Sequence, residues 1–479
     1  MTIQFWSGHA SPKKRDASRA KEAPSMTMPI DLNLEPDEIA PLRGLSRRSV
    51  TGCLAAALTP MPCESAARPM QGVDAAFDYL YPLFEFSRAL RRSTRPLNQI
   101  THRTTLSTAA HRAVTMPNND CLYSSAFLDL AAGPALITTR DETRRYWSLA
   151  FMSAHTDNFT ILGTRTTGGR GGRYLLVAPD WRGPIPRGVS LLRAPTTDVW
   201  MLGRVLVTGE GDLPAARAVQ QGLGLEMPPA PPERWLRAGA LAVNKPEDIL
   251  SVGNELLGRS PNAADTRRGR RHAAWGVIPG QLDAAARLSA AQRAAWQNAI
   301  PEGLDRLRAT YLARPVGQSW ARSGPRIGSI RASDTERAAV ALGGLAALPQ
   351  EEAVYFTTGQ DDQGSALDPA GTYEMVIPTD LPLRGFWSLS LYERHTDGRY
   401  FFVDNPIGRY AISARTGGVL RRSDGAIVVR IQRTAPPPGI SNWLPSAPGP
   451  MLLSLRAYLP GDGMLRTDWL PPPIRRTTG

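Results

Sequence analysis

The sequence predicts a mainly β fold with a helical insert: two antiparallel β-sandwich-like domains bridged by an α-helical segment. Three observations predict it. Short apolar runs bounded by turn residues fill two separate stretches, an Ala-rich stretch of helical texture lies between them, and one strand motif occurs in both β stretches.

In chain order, residues 1–45 mix charge, Pro and Ser without apolar periodicity, as in Ser11-Pro12-Lys13-Lys14-Arg15, and read as a disordered leader. The character changes over 46–67. Ser46-Arg47-Arg48-Ser49-Val50 precedes a modest apolar stretch from Cys53 to Leu58, and Ser65-Ala66-Ala67 supplies small residues at a cleavage position. This layout resembles a Tat-like export signal, so the expected location is periplasmic or secreted. The alternative, a chance Arg-Arg pair in an arginine-rich chain, leaves the protein cytoplasmic.

The first β domain is expected over 68–210. Phe77, Leu80, Tyr81, Phe84 and Ala89 open it as a helix with one apolar face, despite Pro82. From Leu122 the texture is β, with Ala135-Leu136-Ile137, the run 147–151 and the run 174–178 between turn residues. The glycines of 168–172 lack the full Gly-x-Gly-x-x-Gly spacing and read as a hairpin loop. A helical bridge follows over 211–348. There Ser333-Asp-Thr-Glu336 has capping-box spacing and opens a helix expected to reach Ala347 before Pro349 ends it. Trp235, Leu236, Leu241, Leu250, Leu256, Trp275, Trp296 and Tyr311 supply apolar faces to pack on the sheets. The second β domain, 349–479, has its clearest strands at 354–356, 373–377 and 427–431.

Composition narrows the class. A chain of 479 residues can hold two or more domains with real cores. Its 42% hydrophobic and 21% charged residues are ordinary for a globular protein, and no run approaches the roughly 18 apolar residues of a membrane span. The formal charge of +13 would ordinarily suggest nucleic acid. Lysine, however, occurs only at Lys13, Lys14, Lys21 and Lys245, so arginine carries nearly all of that charge, as codon bias in a GC-rich genome produces. No recognition fold accompanies it, and nucleic acid is not an expected partner. Cys53 and Cys63 lie in the leader, leaving Cys121 alone, so packing rather than disulfides must hold the fold.

The repeat is the firmest internal signal. Tyr146-Trp-Ser-Leu through His155-Thr-Asp157 aligns without a gap to Phe386-Trp-Ser-Leu through His395-Thr-Asp397, at a constant offset of 240 positions. Along a strand, Trp147, Leu149 and Phe151 share one face, as do Trp387, Leu389 and Leu391, and that face is expected to be core. The same phase reaches His155 and Asp157 in one copy and His395 and Asp397 in the other. A His and a carboxylate so spaced can ligate a metal or act as base and orienting acid. The competing reading is a strand end, with Asp bonding its own turn and His half exposed, and no third ligand joins either pair.

Asn118-Asn-Asp-Cys-Leu-Tyr-Ser124, Leu128-Asp-Leu130 and Gly133-Pro134 resemble the bacterial family of domain of unknown function 1254, as do residues 98–102, 163–168 and 195–200. Phe386-Trp-Ser-Leu, Asn405-Pro406, Ser423-Asp-Gly425, Asn442-Trp-Leu-Pro445 and Arg456-Ala-Tyr-Leu-Pro460 are similar to the partner domain of unknown function 1214. The resemblance covers about residues 74 to 475. It implies two β-sandwich-like domains with helices between them, often behind an export signal, and no activity to carry over. Cys121 stands where the family motif usually has Thr and reads as a buried small residue.

Gly-x-Ser-x-Gly, Gly-x-x-x-x-Gly-Lys, His-Glu-x-x-His and Cys-x-x-Cys are absent. The most function-like polar set is therefore His102, Asn118, Asn119, Asp120, Tyr123 and Arg165, joined by Asn442, Trp443 and Arg456 near the end of the chain. The resulting expectation is an exported protein that binds a polar small molecule or saccharide at or near the domain seam, without cofactor or metal. Two alternatives stay open. One is a hydrolase or metal-dependent enzyme using His102 or the His155 and Asp157 pair, and the other is a structural, oligomer-forming surface protein.

Overall fold

The helix Val73–Arg91 is almost wholly buried, Asp78, Glu85 and Arg88 included. One apolar face is expected from its spacing, but the helix is embedded on nearly every side. Other helices and a sheet enclose it, and its polar groups find internal partners: Asp78 accepts from Arg306 Nη2 at 2.7 Å and from Thr335 Oγ1 at 2.6 Å. The computed structural model describes residues 72–477 apart from 93–95, 113, 235, 239–242, 438 and 467. The leader, the Tat-like segment, Trp235 and Leu241 lie outside these described residues. Among the described residues no helix is long and apolar enough to cross a membrane.

Nine strands precede the helical segment: β1 (Thr101–His102), β2 (Cys121–Asp129), β3 (Ala135–Thr139), β4 (Trp147–Ser153), β5 (Asn158–Gly163), β6 (Gly172–Val177), β7 (Ser190–Arg193), β8 (Asp198–Leu206) and β9 (Gly224–Glu226). Ten more begin near its end: β10 (Ala321–Arg322), β11 (Ala353–Thr358), β12 (Tyr373–Ile377), β13 (Trp387–Arg394), β14 (Tyr400–Phe401), β15 (Ala411–Ile412), β16 (Ile427–Gln432), β17 (Trp443–Pro445), β18 (Met451–Tyr458) and β19 (Arg475–Arg476).

The duplication runs through the whole topology. The large N-terminal sheet has the order β1-β2-β8-β4-β5, and the large C-terminal sheet β10-β11-β18-β13-β14, with β15 beside β13. The small sheets run β7-β6-β3-β9 and β17-β16-β12-β19. Even the departures from antiparallel pairing match, since β6–β7 and β16–β17 are both parallel.

In each half the two sheets pack face to face. Trp147, Leu149 and Phe151 meet Ile137 and Leu176 in one core, while Trp387, Leu389 and Leu391 meet Met375 and Val429 in the other. The apolar phase expected to be core is core in both copies. The glycine stretch 168–172 does not form a hairpin, because β5 and β6 belong to different sheets and the chain crosses between them. A Cβ on Gly169 would lie 2.3 Å from the carbonyl oxygen of Glu142, so the crossing can hug that turn only with glycine there.

The other face of each large sheet is covered differently. On the N-terminal sheet, Phe127, Met152, Trp200 and Leu202 pack under the helices Val73–Arg91, Pro246–Arg259, Ala290–Tyr311 and Asp334–Gly343. On the C-terminal sheet, Tyr392 and Leu452 pack with Tyr400, Phe402 and Met116, the last from the segment joining β1 to β2. That segment is pinned by Met116 N–H to the Tyr400 carbonyl at 2.8 Å and by Tyr392 Oη to the Pro117 carbonyl at 2.7 Å.

The capping box expected at Ser333 and Glu336 is present, but its helix stops at Gly343 rather than Ala347. The chain leaves helical geometry at Gly344, φ −155° and ψ 50°, and Gly343 has no room for a side chain, since a Cβ there would sit 2.3 Å from the Tyr311 ring. The chain turns there through Ala346, at φ 65°, and enters the seam between the two halves.

Candidate ligand-binding cavity

Between the two large sheets lies a cavity of about 390 Å³. Its floor follows from strand alternation. β2 pairs with β8 in the rungs Tyr123–Arg204, Ser125–Leu202 and Phe127–Trp200, so these six side chains share the face turned away from the sandwich core. The opposite wall carries the matching rung of the second copy, Tyr355–Arg456, with Tyr458 two residues on. Ser148 lies across from Arg204 and Ser388 across from Arg456, so each copy presents a Tyr–Arg–Ser rung. Met116, Pro117 and Asn118 close one side, and residues 344–347 another.

Among the described residues no Asp or Glu lines this space. Arg204 and Arg456 are buried, and no described carboxylate comes within 4.0 Å of either. Arg456 acts on Asp120, whose carboxyl burial pushes up while the Ser388 hydroxyl, Arg456 and Arg415 pull it down. Both terminal nitrogens of Arg456 are bonded: Nη1 donates to Ser390 Oγ at 3.1 Å and Nη2 to the Met116 carbonyl at 2.7 Å. Arg204 is not. Its Nη2 donates to the Ala346 carbonyl at 2.7 Å, but its buried Nη1 has no partner among the described residues.

The neutral polar groups are also poised to donate. Tyr458 Oη accepts from Asn118 Nδ2 at 2.6 Å, and Tyr355 Oη accepts from the Leu348 N–H at 2.8 Å. Each hydroxyl therefore keeps its own proton for another acceptor, and burial holds both phenols above their usual range, in the protonated form. Arg103 lies 5.7 Å from the Tyr123 ring and donates Nη1 to Ser107 Oγ at 2.9 Å. His111 accepts the Thr108 N–H on Nδ1 at 2.9 Å, which leaves the proton of the neutral ring on Nε2.

The candidates picked out in the sequence divide. Asn118, Tyr123 and Arg456 line the cavity. His102 does not: strand alternation puts it on the other face of β1, with Nδ1 2.9 Å from Ser124 Oγ. Asn119 donates to the Ser107 carbonyl, and Asp120 accepts from Ser388 and ties the two halves together. Arg165 pairs with Glu352 at 2.6 Å. Asn442 exchanges two 2.8 Å backbone bonds with Leu420, and Trp443 donates to the Gln432 carbonyl at 2.8 Å, so both belong to the small C-terminal sheet.

The two His–Asp ends behave differently. His395 is exposed and Asp397 accepts the Arg399 N–H at 3.1 Å, as a strand end should. In the first copy the expectation of a half-exposed His and a turn-bonding Asp is corrected. His155 is only 2% exposed and meets Asp265 at 3.2 Å, while Asp157 takes Arg337 Nε at 2.8 Å. Helical residues absent from the second copy cover that strand end. Among the described residues, no group of three His, Cys, Asp or Glu side chains could hold a metal.

Two family models match: Protein of unknown function (DUF1254) over residues 97–227 and Protein of unknown function (DUF1214) over residues 352–462. The chain belongs to the family that pairs these two domains. The DUF1254 match contains β1 to β9, and the DUF1214 match β11 to β18, so the cavity lies between the paired domains. The solved VPA0106 protein from Vibrio parahaemolyticus is similar in fold, with a TM-score of 0.62 at 21% identity over 85% of this chain and 99% of that one. An uncharacterized protein from Burkholderia cenocepacia reaches 0.43 at 14% identity over 84% and 88%. Comparison with curated proteins finds no match.

Sequence reasoning missed Arg204, Arg103 and Tyr355 as cavity residues. A signal existed for the first. Met201-Leu-Gly-Arg-Val-Leu206 and Leu453-Ser-Leu-Arg-Ala-Tyr458 are apolar strands with one arginine at the same place, and a mid-strand arginine is rarely buried without a purpose.

Proposed function

We propose that this DUF1254–DUF1214 protein binds a small organic anion in the cavity between its two large sheets. Arg204 carries the reading: a buried guanidinium on the cavity floor, with Nη1 unpaired and no described carboxylate within 4.0 Å. Leaving a buried cation uncompensated costs several kcal/mol. A bound carboxylate or similar group offsets that cost and accepts from Arg204, Tyr355 and Tyr458 together. A neutral saccharide needs acceptors as well as donors, so this lining favours the anion. The hydrolase alternative has less support, since His111, which lines the cavity, bonds Thr108 and, among the described residues, no lining hydroxyl, and His102 and His155 both sit elsewhere.

Calorimetric titration with matched carboxylates, their amides and neutral sugars tests the reading. Carboxylates should bind and lose most of their affinity in Arg204→Gln. Binding of sugars with carboxylates inert would overturn it. Export through the Tat-like segment belongs to the same proposal, as a periplasmic or secreted binding protein. Cell fractionation that finds the full-length chain only in the cytoplasm would remove that part.

A further inference from the structure

We infer that the ligand is an elongated amphiphile, an anionic head on a flat aromatic or alkyl body, lying along β2 and β8 with its head at Arg204 and its tail at Trp200. This rests on the anion reading above and adds length, polarity and direction to it.

The floor has a strong gradient. Arg103 and Arg204 both stack on Tyr123, at 5.7 and 5.6 Å, so the positive charge gathers at that rung. Four residues along β8, about 13 Å at a strand's rise, the rung is Phe127 stacked on Trp200 at 5.0 Å. Trp200 Nε1 is already bonded to Ser125 Oγ at 2.9 Å, so the far rung presents apolar surface alone. A second charge placed there would be desolvated without a partner. An apolar tail is the group that fits.

The duplication supplies an internal template. On the second copy, Arg456 Nη2 holds the Met116 carbonyl at 2.7 Å, and the Met116 side chain packs on Tyr392 and Leu452. Met116 thus places an acceptor on the arginine and an apolar chain along the sheet. On the first copy, Arg204 Nη2 holds the Ala346 carbonyl at 2.7 Å, and both residues have positive φ, 46° and 65°. The two segments play the same part, but Ala346 has only a methyl group. Trp200, which corresponds to Leu452, lines the cavity with Phe127 and Leu202 instead of packing on a methionine as Leu452 does. Arg204 also lacks one partner, since Ala150 stands where β13 has Ser390. Both differences are shortages on the first copy, one of an acceptor and one of apolar volume, and a single amphiphilic anion meets both.

The test is a titration series of benzoate, 3-phenylpropionate and 5-phenylpentanoate with their amides, on the full chain, Ala346→Met and Ala89→Leu, each checked by thermal melting. Affinity should rise with length by up to about fourfold per methylene, the value of burying a CH₂. Ala346→Met should abolish the rise while benzoate still binds, and Ala89→Leu, on the helix lining the same cavity, should blunt it without requiring an altered turn. Carboxylates that bind with no dependence on length in any variant would overturn the inference and leave the anion reading standing. Amides that follow the same rise as the acids would remove the anion reading and leave the tail subsite. No binding of any member at millimolar concentration overturns both.

Discussion

Arg204 and Arg456 occupy the same rung of two copies of one sheet and differ by one partner. Ser390 Oγ takes Nη1 of Arg456 at 3.1 Å, whereas Ala150 at the matching position leaves Nη1 of Arg204 bare. The pair shows what each arginine costs the fold. Arg456 has both terminal nitrogens bonded, and Arg204 keeps one buried terminal nitrogen without a bond among the described residues, at the expense of stability.

Ala150→Ser should therefore restore the missing bond. The expected result is a gain of about 1 kcal/mol in unfolding free energy, the usual net value of one buried hydrogen bond. Anion affinity should fall several-fold in the same variant, because Nη1 is then occupied. Urea denaturation and calorimetric titration read the two effects separately.

Arg165 and Glu352 supply a prediction about the seam itself. Glu352 is 1% exposed and accepts Arg165 Nε at 2.6 Å and Tyr146 Oη at 2.9 Å. Arg165→Ala strands a buried carboxylate and should destabilise the protein by about 3 kcal/mol. Adding Glu352→Gln should recover much of that loss, because an amide needs no counter-charge. Denaturation of both single variants and the double variant measures the coupling. Carboxylate binding should survive in all three.

His155 makes stability fall in acid. Burial holds its imidazole down at about 4, with Arg337 and Arg268 adding to the effect and Asp265 opposing it. Below pH 6.5 the unfolded chain takes up a proton that the folded chain refuses until about pH 4. The folded state thus loses up to about 3 kcal/mol across that window. Asp157, pushed up to about 7 by burial against the pull of Arg337, acts with the opposite sign there, keeping its proton in the folded state. The wild-type curve shows the sum. The difference between wild type and His155→Gln isolates the histidine, and equal slopes between pH 6.5 and 4 would refute the assignment.

Cys121 should be inert while the protein is folded. Its side chain is fully buried, and burial together with the neighbouring Asp120 pushes the thiol well above its usual range. Iodoacetamide at pH 8 should leave the Cys121 peptide unmodified in native protein and alkylate it in urea, as mass spectrometry would show.

Much of this architecture was readable in advance because strand alternation is a local rule. Trp147, Leu149 and Phe151 had to share a face, and the identical phase at Trp387, Leu389 and Leu391 marked a duplicated core. The same rule, applied to β2, would have separated His102 and Ser124 from Tyr123 and Ser125. That required the pairing of β1 with β2, across residues whose spacing carries no register. His155 was misread for a related reason. Its own turn has ordinary chemistry, and helical residues far away in the chain, Tyr79 before it and Asp265 after it, cover it.

By itself the sequence determined the two β stretches, the helical segment between them, the duplicated strand and its core face. Periodicity and turn chemistry act over a few residues, so they survive without knowledge of partners. Only the tertiary structure decided that the two copies face each other, that Arg204 and Arg456 line one cavity, and that Ala346 accepts from Arg204 where Met116 accepts from Arg456. Those facts are differences between residues more than a hundred positions apart, and no local pattern records which of them come into contact.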